Sequence, residues 1–220
     1  DSAVSNSGTI VADGGRVLLT TAAARDVYTQ AINNSGVIQA SRIDNSGGVI
    51  RLSGGDGVTL NSGVLDASGD SASDGGAVQL TGRLVGVTGE ASISANGGAN
   101  GGQVRIGGAF QGGDASAQNA AGTYVSSGSE ISADAGNAGD GGEVIVWADE
   151  TTRYYGNISA TGGADGGNGG FAEVSGAQSL AYQGIVDLTA PNGAIGTLLL
   201  DPDALTILGG NGGVDGGDLD

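Results

Sequence analysis

Aromatic side chains gather in one stretch of the chain, where Trp147, Tyr154 and Tyr155 flank a polar corner of the sequence. Exposed aromatic rings can stack on sugar rings, so these three residues form the candidate ligand-binding group, with a polysaccharide or a host-surface molecule as its ligand. The alternative is a packing stack that closes a corner of the fold. We favour the packing interpretation and keep ligand binding as the functional hypothesis for this stretch.

Carboxylates are the second group capable of chemistry, because polysaccharide hydrolases use two of them flanking the scissile bond. Glu130 and Asp187 are predicted to share one outward slot two repeats apart, with Asn157 between them and Asp66 in a neighbouring slot. Parallel strands about 4.8 Å apart would separate this pair by roughly 10 Å. Since the chain has neither Lys nor His to support such a pair, we predict no catalytic residues. An enzyme acting on polysaccharide remains the less favoured alternative.

The charge balance is strongly acidic, with 24 Asp and Glu against seven Arg and a formal net charge of −17. Such a chain has no electrostatic reason to bind nucleic acid or an anionic membrane. It contains no Cys, which excludes thiolate metal sites, and its acids, including Asp140, Asp149 and Glu150, lack the spacing of a calcium loop. We therefore predict no cofactor, no metal site, no nucleic-acid partner and no membrane insertion.

These residues are positioned by a repeat of five residues, typified by Gly156-Asn157-Ile158-Ser159-Ala160. The fifth residue is always Ala, and the central residue is always aliphatic. The central residues are Ile10, Ile38, Leu65, Ile93, Ile131, Ile158 and Leu188, with spacings of 28, 27, 28, 38, 27 and 30. A repeat of this length indicates a solenoid in which equivalent residues stack along one axis.

Two further patterns fall within each repeat. Double glycines lead into alternating apolar residues, as in Gly101-Gly102 before Val104 and Ile106, and a weaker apolar run such as Val85–Val87 precedes each five-residue motif. Three short strands per unit predict an all-β fold, a right-handed parallel β-helix of about seven coils of roughly 27 residues. The double glycines are predicted to supply positive φ and close approach of coils, and the Asn-Ser-Gly tripeptides to form left-handed turns.

The predicted β-helix spans residues 1–208, followed by a tail rich in Gly and Asp at 209–220. Residues 107–128 carry extra length and are predicted to form an insertion that leaves the coil. A short helical segment is expected around Ala22–Tyr28. Outward residues in one slot, including Arg51, Arg105 and Glu173, are predicted to form exposed ion pairs.

The segment from Gly141 to Gly176 resembles the large exoproteins of two-partner secretion, the filamentous-haemagglutinin-like group. It carries the run Gly-Gly-x-Val-x-Val-Trp-Ala-Asp, then Gly-x-Ile-Ser-Ala and Gly-Gly-Phe-x-Glu-Val-Ser-Gly. The sequel Gly-Thr-Leu-Leu-Leu-Asp-Pro at 196–202 is also similar to that group. The resemblance covers the chain to about Ile207.

The resemblance implies a protein exported through a dedicated outer-membrane partner pore to the cell surface or the medium. It implies a non-catalytic β-helical shaft of a large surface or biofilm-matrix adhesin, active in cell adhesion and aggregation. The amino-terminal secretion domain of the group is not evident in the sequence, so we expect an inner shaft segment. The alternative is a carbohydrate- or host-protein-binding module on one face of the β-helix.

Overall fold

The regular structure of this chain is almost entirely β-strand. A computed structural model describes residues 2–21, 30–43, 46–114 and 116–203. The segment around Ala22–Tyr28 and the tail at 209–220 lie outside the described residues. The strands are β1 (Ser2–Asn6), β2 (Thr9–Val11), β3 (Arg16–Thr20), β4 (Gln30–Asn34), β5 (Val37–Gln39), β6 (Arg42–Ile43), β7 (Ser46–Gly47), β8 (Val49–Ser53), β9 (Val58–Asn61), β10 (Val64–Asp66), β11 (Ala77–Thr81), β12 (Leu84–Val87), β13 (Ser92–Ser94), β14 (Gln103–Ile106), β15 (Gly122–Val125), β16 (Glu130–Ser132), β17 (Glu143–Ala148), β18 (Thr151–Tyr154), β19 (Asn157–Ser159), β20 (Phe171–Gly176), β21 (Ser179–Tyr182), β22 (Ile185–Asp187) and β23 (Thr197–Leu199).

Three parallel sheets of seven strands each run the length of the molecule. Sheet A contains β1, β4, β9, β12, β15, β18 and β21; sheet B contains β2, β5, β10, β13, β16, β19 and β22; sheet C contains β3, β8, β11, β14, β17, β20 and β23. Each coil gives one strand to each sheet, so coil 1 holds β1–β3, coil 2 holds β4–β8, and coils 3 to 7 hold successive sets of three from β9–β11 to β21–β23. The predicted fold class, a parallel β-helix of about seven coils, is confirmed.

The core consists of the inward rows that the repeats predict. The central aliphatic residues from Ile38 to Ile158 are at most 2% exposed, and the Ala residues that follow them, from Ala40 to Ala160, are fully buried. One assignment is wrong. Val186, not Leu188, pairs with Ile158, so the period there is 28 residues, and Leu188 takes the place that Ala fills in the preceding coils. The backbone hydrogen bond from Ala160 N to Asp187 O (2.9 Å) fixes this register.

The double glycines lie where successive coils approach most closely. A Cβ at Gly102 would lie 2.2 Å from the carbonyl oxygen of Gly76, and one at Gly142 would lie 2.1 Å from that of Gly102. Among the described double glycines of this corner only Gly14 and Gly48 have positive φ. The expectation of positive φ is therefore wrong for the later coils, and backbone contact is the reason that no side chain fits.

The asparagines of the Asn-Ser-Gly tripeptides form a ladder of amides rather than left-handed turns, and Asn34 and Asn61 in this ladder are buried. Their glycines are absent from the positive-φ residues of the described chain, so that prediction is wrong. Instead Asn6 Nδ2 donates to Asn34 Oδ1, and Asn34 Nδ2 donates to Asn61 Oδ1, both at 2.7 Å. Because an amide is both donor and acceptor, identical amides stacked at the coil spacing satisfy one another inside the coil.

Candidate functional site

Trp147 is covered by the loop that leaves the β-helix between β14 and β15, described at residues 107–114 and 116–121. Only 6% of its surface is exposed, and the backbone of Gly108 and Gly112 lies against the indole. The indole Nε1–H donates to Asp149 Oδ1 at 2.9 Å, and Asn119 Nδ2 donates to the same oxygen at 3.0 Å. The ring therefore anchors the insertion to sheet C and presents little surface to a ligand. The insertion ends earlier than the sequence predicts, since β15 begins at Gly122.

Tyr154 points into the β-helix and is fully buried. Its ring stacks on Tyr182, with centroids 5.4 Å apart, and its hydroxyl donates to the carbonyl oxygen of Ile185 at 3.0 Å. Burial raises the pKa of the Tyr154 phenol, and the neighbouring Tyr182 adds to this shift. In sheet A it pairs with Val125 of the preceding coil, so Tyr154 lies in an inward, core-forming row.

Tyr155 is the one predicted site residue that lies partly at the surface, at the corner between sheets A and B. Its ring packs against Tyr124 of the preceding coil, with centroids 5.9 Å apart. Tyr124 is 40% exposed and lies opposite Arg153 rather than Tyr154 in the sheet register. The three predicted site residues therefore do not form one platform, and the aromatic surface exposed beside this corner is the Tyr124–Tyr155 pair.

A groove crosses the outward face of sheet A beside this pair; we name it the sheet A groove. It has a cavity volume of about 670 Å³ and spans coils 3 to 6. Its shape comes from the alternation of large and small outward residues on neighbouring strands. Residues that define it are Leu60, Leu84, Gly86, Gly122, Tyr124 and Arg153.

Cationic side chains border the sheet A groove. Arg83 stands before β12 and donates from Nε to the carbonyl oxygen of Asp56 at 3.3 Å, and exposed Arg153 lies on β18. The Arg153 side chain forms no hydrogen bond or ion pair with any residue in the described ranges. Glu150 is the one acidic residue in the lining. Sequence reasoning missed this face because Arg83, Gly86 and Arg153 show no local motif, and only the sheet register brings them together.

The insertion also buries a carboxylate that the sequence predicts to be exposed. Glu173 is fully buried, its Oε2 accepts a hydrogen bond from the backbone N–H of Gln111 at 3.0 Å, and its Oε1 has no partner among the described residues. Burial raises the pKa of Glu173, against the effect of that hydrogen bond. Gln111 has a φ of 50°, so the loop adopts a strained backbone where it reaches the carboxylate.

Arg105 forms ion pairs, as the sequence predicts. Its guanidinium lies 3.5 Å from the carboxylate of Glu143 and 4.0 Å from that of Asp114.

The candidate catalytic carboxylates do not converge. Glu130 pairs with Asn157 as predicted, but Asn157 pairs with Ile185, so the placement of Asp187 in that slot is wrong. The shift of two residues in the last coil puts Asp187 in the row of Asp66, four coils away. Four strand spacings amount to about 19 Å, too far for one water or one nucleophile to bridge.

In the part of the chain that the structure describes, no three Asp or Glu residues stand close enough to hold a metal ion. No helix in the same part has the length and apolar character that a membrane-spanning helix requires.

Comparison with known proteins finds a similar protein of known structure. The chain is similar to the HMW1 secretion domain from Haemophilus influenzae, with 30% sequence identity and a TM-score of 0.71. The match covers 88% of this chain and 49% of that one, so the chain spans about half the length of the structure it matches. No protein-family model matches the sequence, and no curated protein matches it.

Proposed function

We propose that this chain is a non-catalytic β-helical segment of a large secreted exoprotein, where it forms part of a stiff extracellular shaft. The observation that carries the proposal is the continuous ladder of three seven-stranded parallel sheets along one axis. Each coil supports its neighbours through backbone hydrogen bonds and stacked side chains, so the segment resists bending as a unit. Seven coils at about 4.8 Å each extend roughly 34 Å.

The likeness to a secretion domain supports export as the setting of this shaft. Together with the motifs between Gly141 and Gly176, it favours an outer-membrane pore as the secretion partner and the cell surface as the location. In that setting the segment holds adhesive parts of the protein away from the cell. The net charge of −17 keeps such a shaft soluble and opposes lateral aggregation.

The same likeness favours a second candidate function, in which the chain belongs to a secretion domain itself. The sequence gives no sign of such a domain, whereas the similar structure is one. A secretion domain would have to engage the partner pore directly, and a shaft segment would only follow it through the pore. The two functions therefore differ in whether this segment suffices for export.

An export assay separates these candidates. The chain is fused between a signal peptide and a reporter, in a Gram-negative host with or without an outer-membrane pore of two-partner secretion. A second fusion carries a separate secretion domain ahead of the chain. A shaft segment gives reporter in the medium only from the second fusion, whereas a secretion-domain segment gives pore-dependent export from the first fusion as well. Absence of reporter from the medium with both fusions, in the host that has the pore, would refute both candidates.

Ligand binding and catalysis are further alternatives with different support. A module that binds carbohydrate or a host protein is favoured by the sheet A groove with its exposed Tyr124. An enzyme has no comparable support, because Glu130 and Asp187 lie in different rows. Turnover of a uronic-acid polymer by the purified chain would overturn the non-catalytic proposal.

A further inference from the structure

The sheet A groove has the shape of a binding site for an extended chain. Its length runs along the β-helix axis across four coils, and its volume of about 670 Å³ lies in the range of ordinary ligand sites. Its shape depends on Gly86 and Gly122, which hold outward positions where the next strands carry Tyr124 and Thr151. The side chain of Leu60 leans over Gly86, where an added Cβ would lie 2.6 Å from it. The side chain of Leu84 leans over Gly122 in the same way, at 3.1 Å.

The walls of the groove combine an aromatic ring with aliphatic surface. Tyr124 is exposed to 40% although it lies on a strand of the sheet, and Tyr155 supports its ring from the adjoining corner. A ring held in this way presents a rigid apolar face with a polar hydroxyl at its edge. A sugar has the matching character, since one side of its ring is apolar and its rim is hydroxylated.

The charges of the groove identify which sugars match it. The chain has only seven cationic residues against 24 acidic ones, yet two of the seven, Arg83 and Arg153, border this groove. They lie on coils 4 and 6, about 10 Å apart along the axis at the strand spacing. A guanidinium binds a carboxylate through paired hydrogen bonds, and the Arg153 guanidinium has no such partner within the described chain.

We propose that the sheet A groove binds a polysaccharide chain of uronic acids. Tyr124 is the stacking ring, and Arg153 and Arg83 bind carboxylates of sugars along the chain. Such a ligand meets this face only if the chain is extracellular, so the biological role of the groove rests on the proposed function. The binding itself requires only the purified chain.

Glu150 and the overall negative charge oppose an acidic ligand. At physiological salt the Debye length is about 8 Å, so acids on the far side of the β-helix are screened while Glu150 in the lining is not. Removing this one charge should therefore strengthen binding, whereas removing either arginine should weaken it. This opposite pair of effects is specific to an acidic ligand in this groove.

The test measures binding of short oligogalacturonate, alginate and hyaluronate chains to the purified protein by calorimetry. We expect at least one of them to bind, and its methyl-esterified, uncharged form to bind about tenfold more weakly. Arg153→Ala and Tyr124→Ala should each weaken binding about tenfold, Tyr124→Phe should retain it, and Glu150→Gln should strengthen it. Higher salt should weaken it.

Arg51→Ala is the matched control, because Arg51 is an exposed arginine on the outward face of sheet C. It removes the same charge and should leave the affinity unchanged. Three results would overturn the proposal: no binding of any of these acids, equal binding of the methyl ester, or equal loss in Arg51→Ala and Arg153→Ala. Circular dichroism of each variant shows that the β-helix is intact. Since export is measured separately, loss of binding and loss of export are distinguishable failures.

Discussion

Substitution of one corner glycine tests whether backbone contact between coils limits the fold. In Gly102→Ala the new Cβ would lie 2.2 Å from the carbonyl oxygen of Gly76, and such carbon–oxygen contacts normally measure about 3.3 Å. The coils must therefore separate by about 1 Å. The hydrogen bond from Gln103 N to that same oxygen, now 2.9 Å, then exceeds bonding distance.

The expected loss of stability follows from these contacts. Overpacking of a tight interior costs about 1–3 kcal/mol, and a broken backbone hydrogen bond contributes about 1 kcal/mol of this. For a chain of this size the midpoint of thermal unfolding should fall by roughly 2–12 °C. Thermal melts followed by far-ultraviolet circular dichroism measure the change.

Gly166→Ala is the control for this substitution. Gly166 also lies in a glycine-rich corner, but no atom lies within 4 Å of its ideal Cβ position and its φ is not positive. The alanine should leave stability unchanged or raise it by up to about 1 kcal/mol, because it restricts the unfolded chain. If Gly102→Ala is no less stable than Gly166→Ala, backbone contact between the coils does not limit the fold.

Three further predictions concern buried polar groups. Asn34→Ala interrupts the amide ladder and should cost about 1–3 kcal/mol in urea unfolding, whereas the partly exposed Asn33→Ala should change little; equal effects would contradict the ladder. Thr152→Val removes the hydrogen bond from Thr152 Oγ1 to Ser175 O (2.7 Å) and should cost about 1–3 kcal/mol in the same assay, so an unchanged urea midpoint would refute its role. Glu173 has a raised pKa, so the folded state holds its proton to higher pH than the unfolded chain and stability falls as pH rises through that interval. Glu173→Gln should flatten this part of the pH profile and stabilise the protein at neutral pH, and a profile identical to that of the wild type would exclude Glu173 as its cause.

The fold was predictable because the inward residues of a β-helix must repeat. Ile38 and Ile93 occupy the same axial row in the structure as in the sequence repeats, since each coil buries the same side of the same strand. The error at Leu188 has a simple cause. The stretch 186–190 offers two alternating apolar patterns, and only the backbone ladder onto Ala160 decides between them.

The orientation of Tyr154 was also encoded in the sequence. It stands four residues before Ile158, as Asn34 stands four before Ile38 and Asn61 four before Leu65, and all three side chains are buried in the same row. The sheet A groove was not predictable in this way. It depends on which outward residues of strands about 28 residues apart become neighbours, and outward positions have no shared pattern.

The insertion determines which face of the β-helix is free to bind. In coils 5 and 6 the outward row of sheet C holds Ile145 and Glu173, both fully buried. The described part of the insertion folds over that face, with the Phe110 ring centroid 5.8 Å from that of Phe171. The same two coils expose Tyr124 and Arg153 on sheet A. A ligand that needs a rigid, open surface on these coils therefore meets it on sheet A and not on sheet C, where it would first have to displace the insertion.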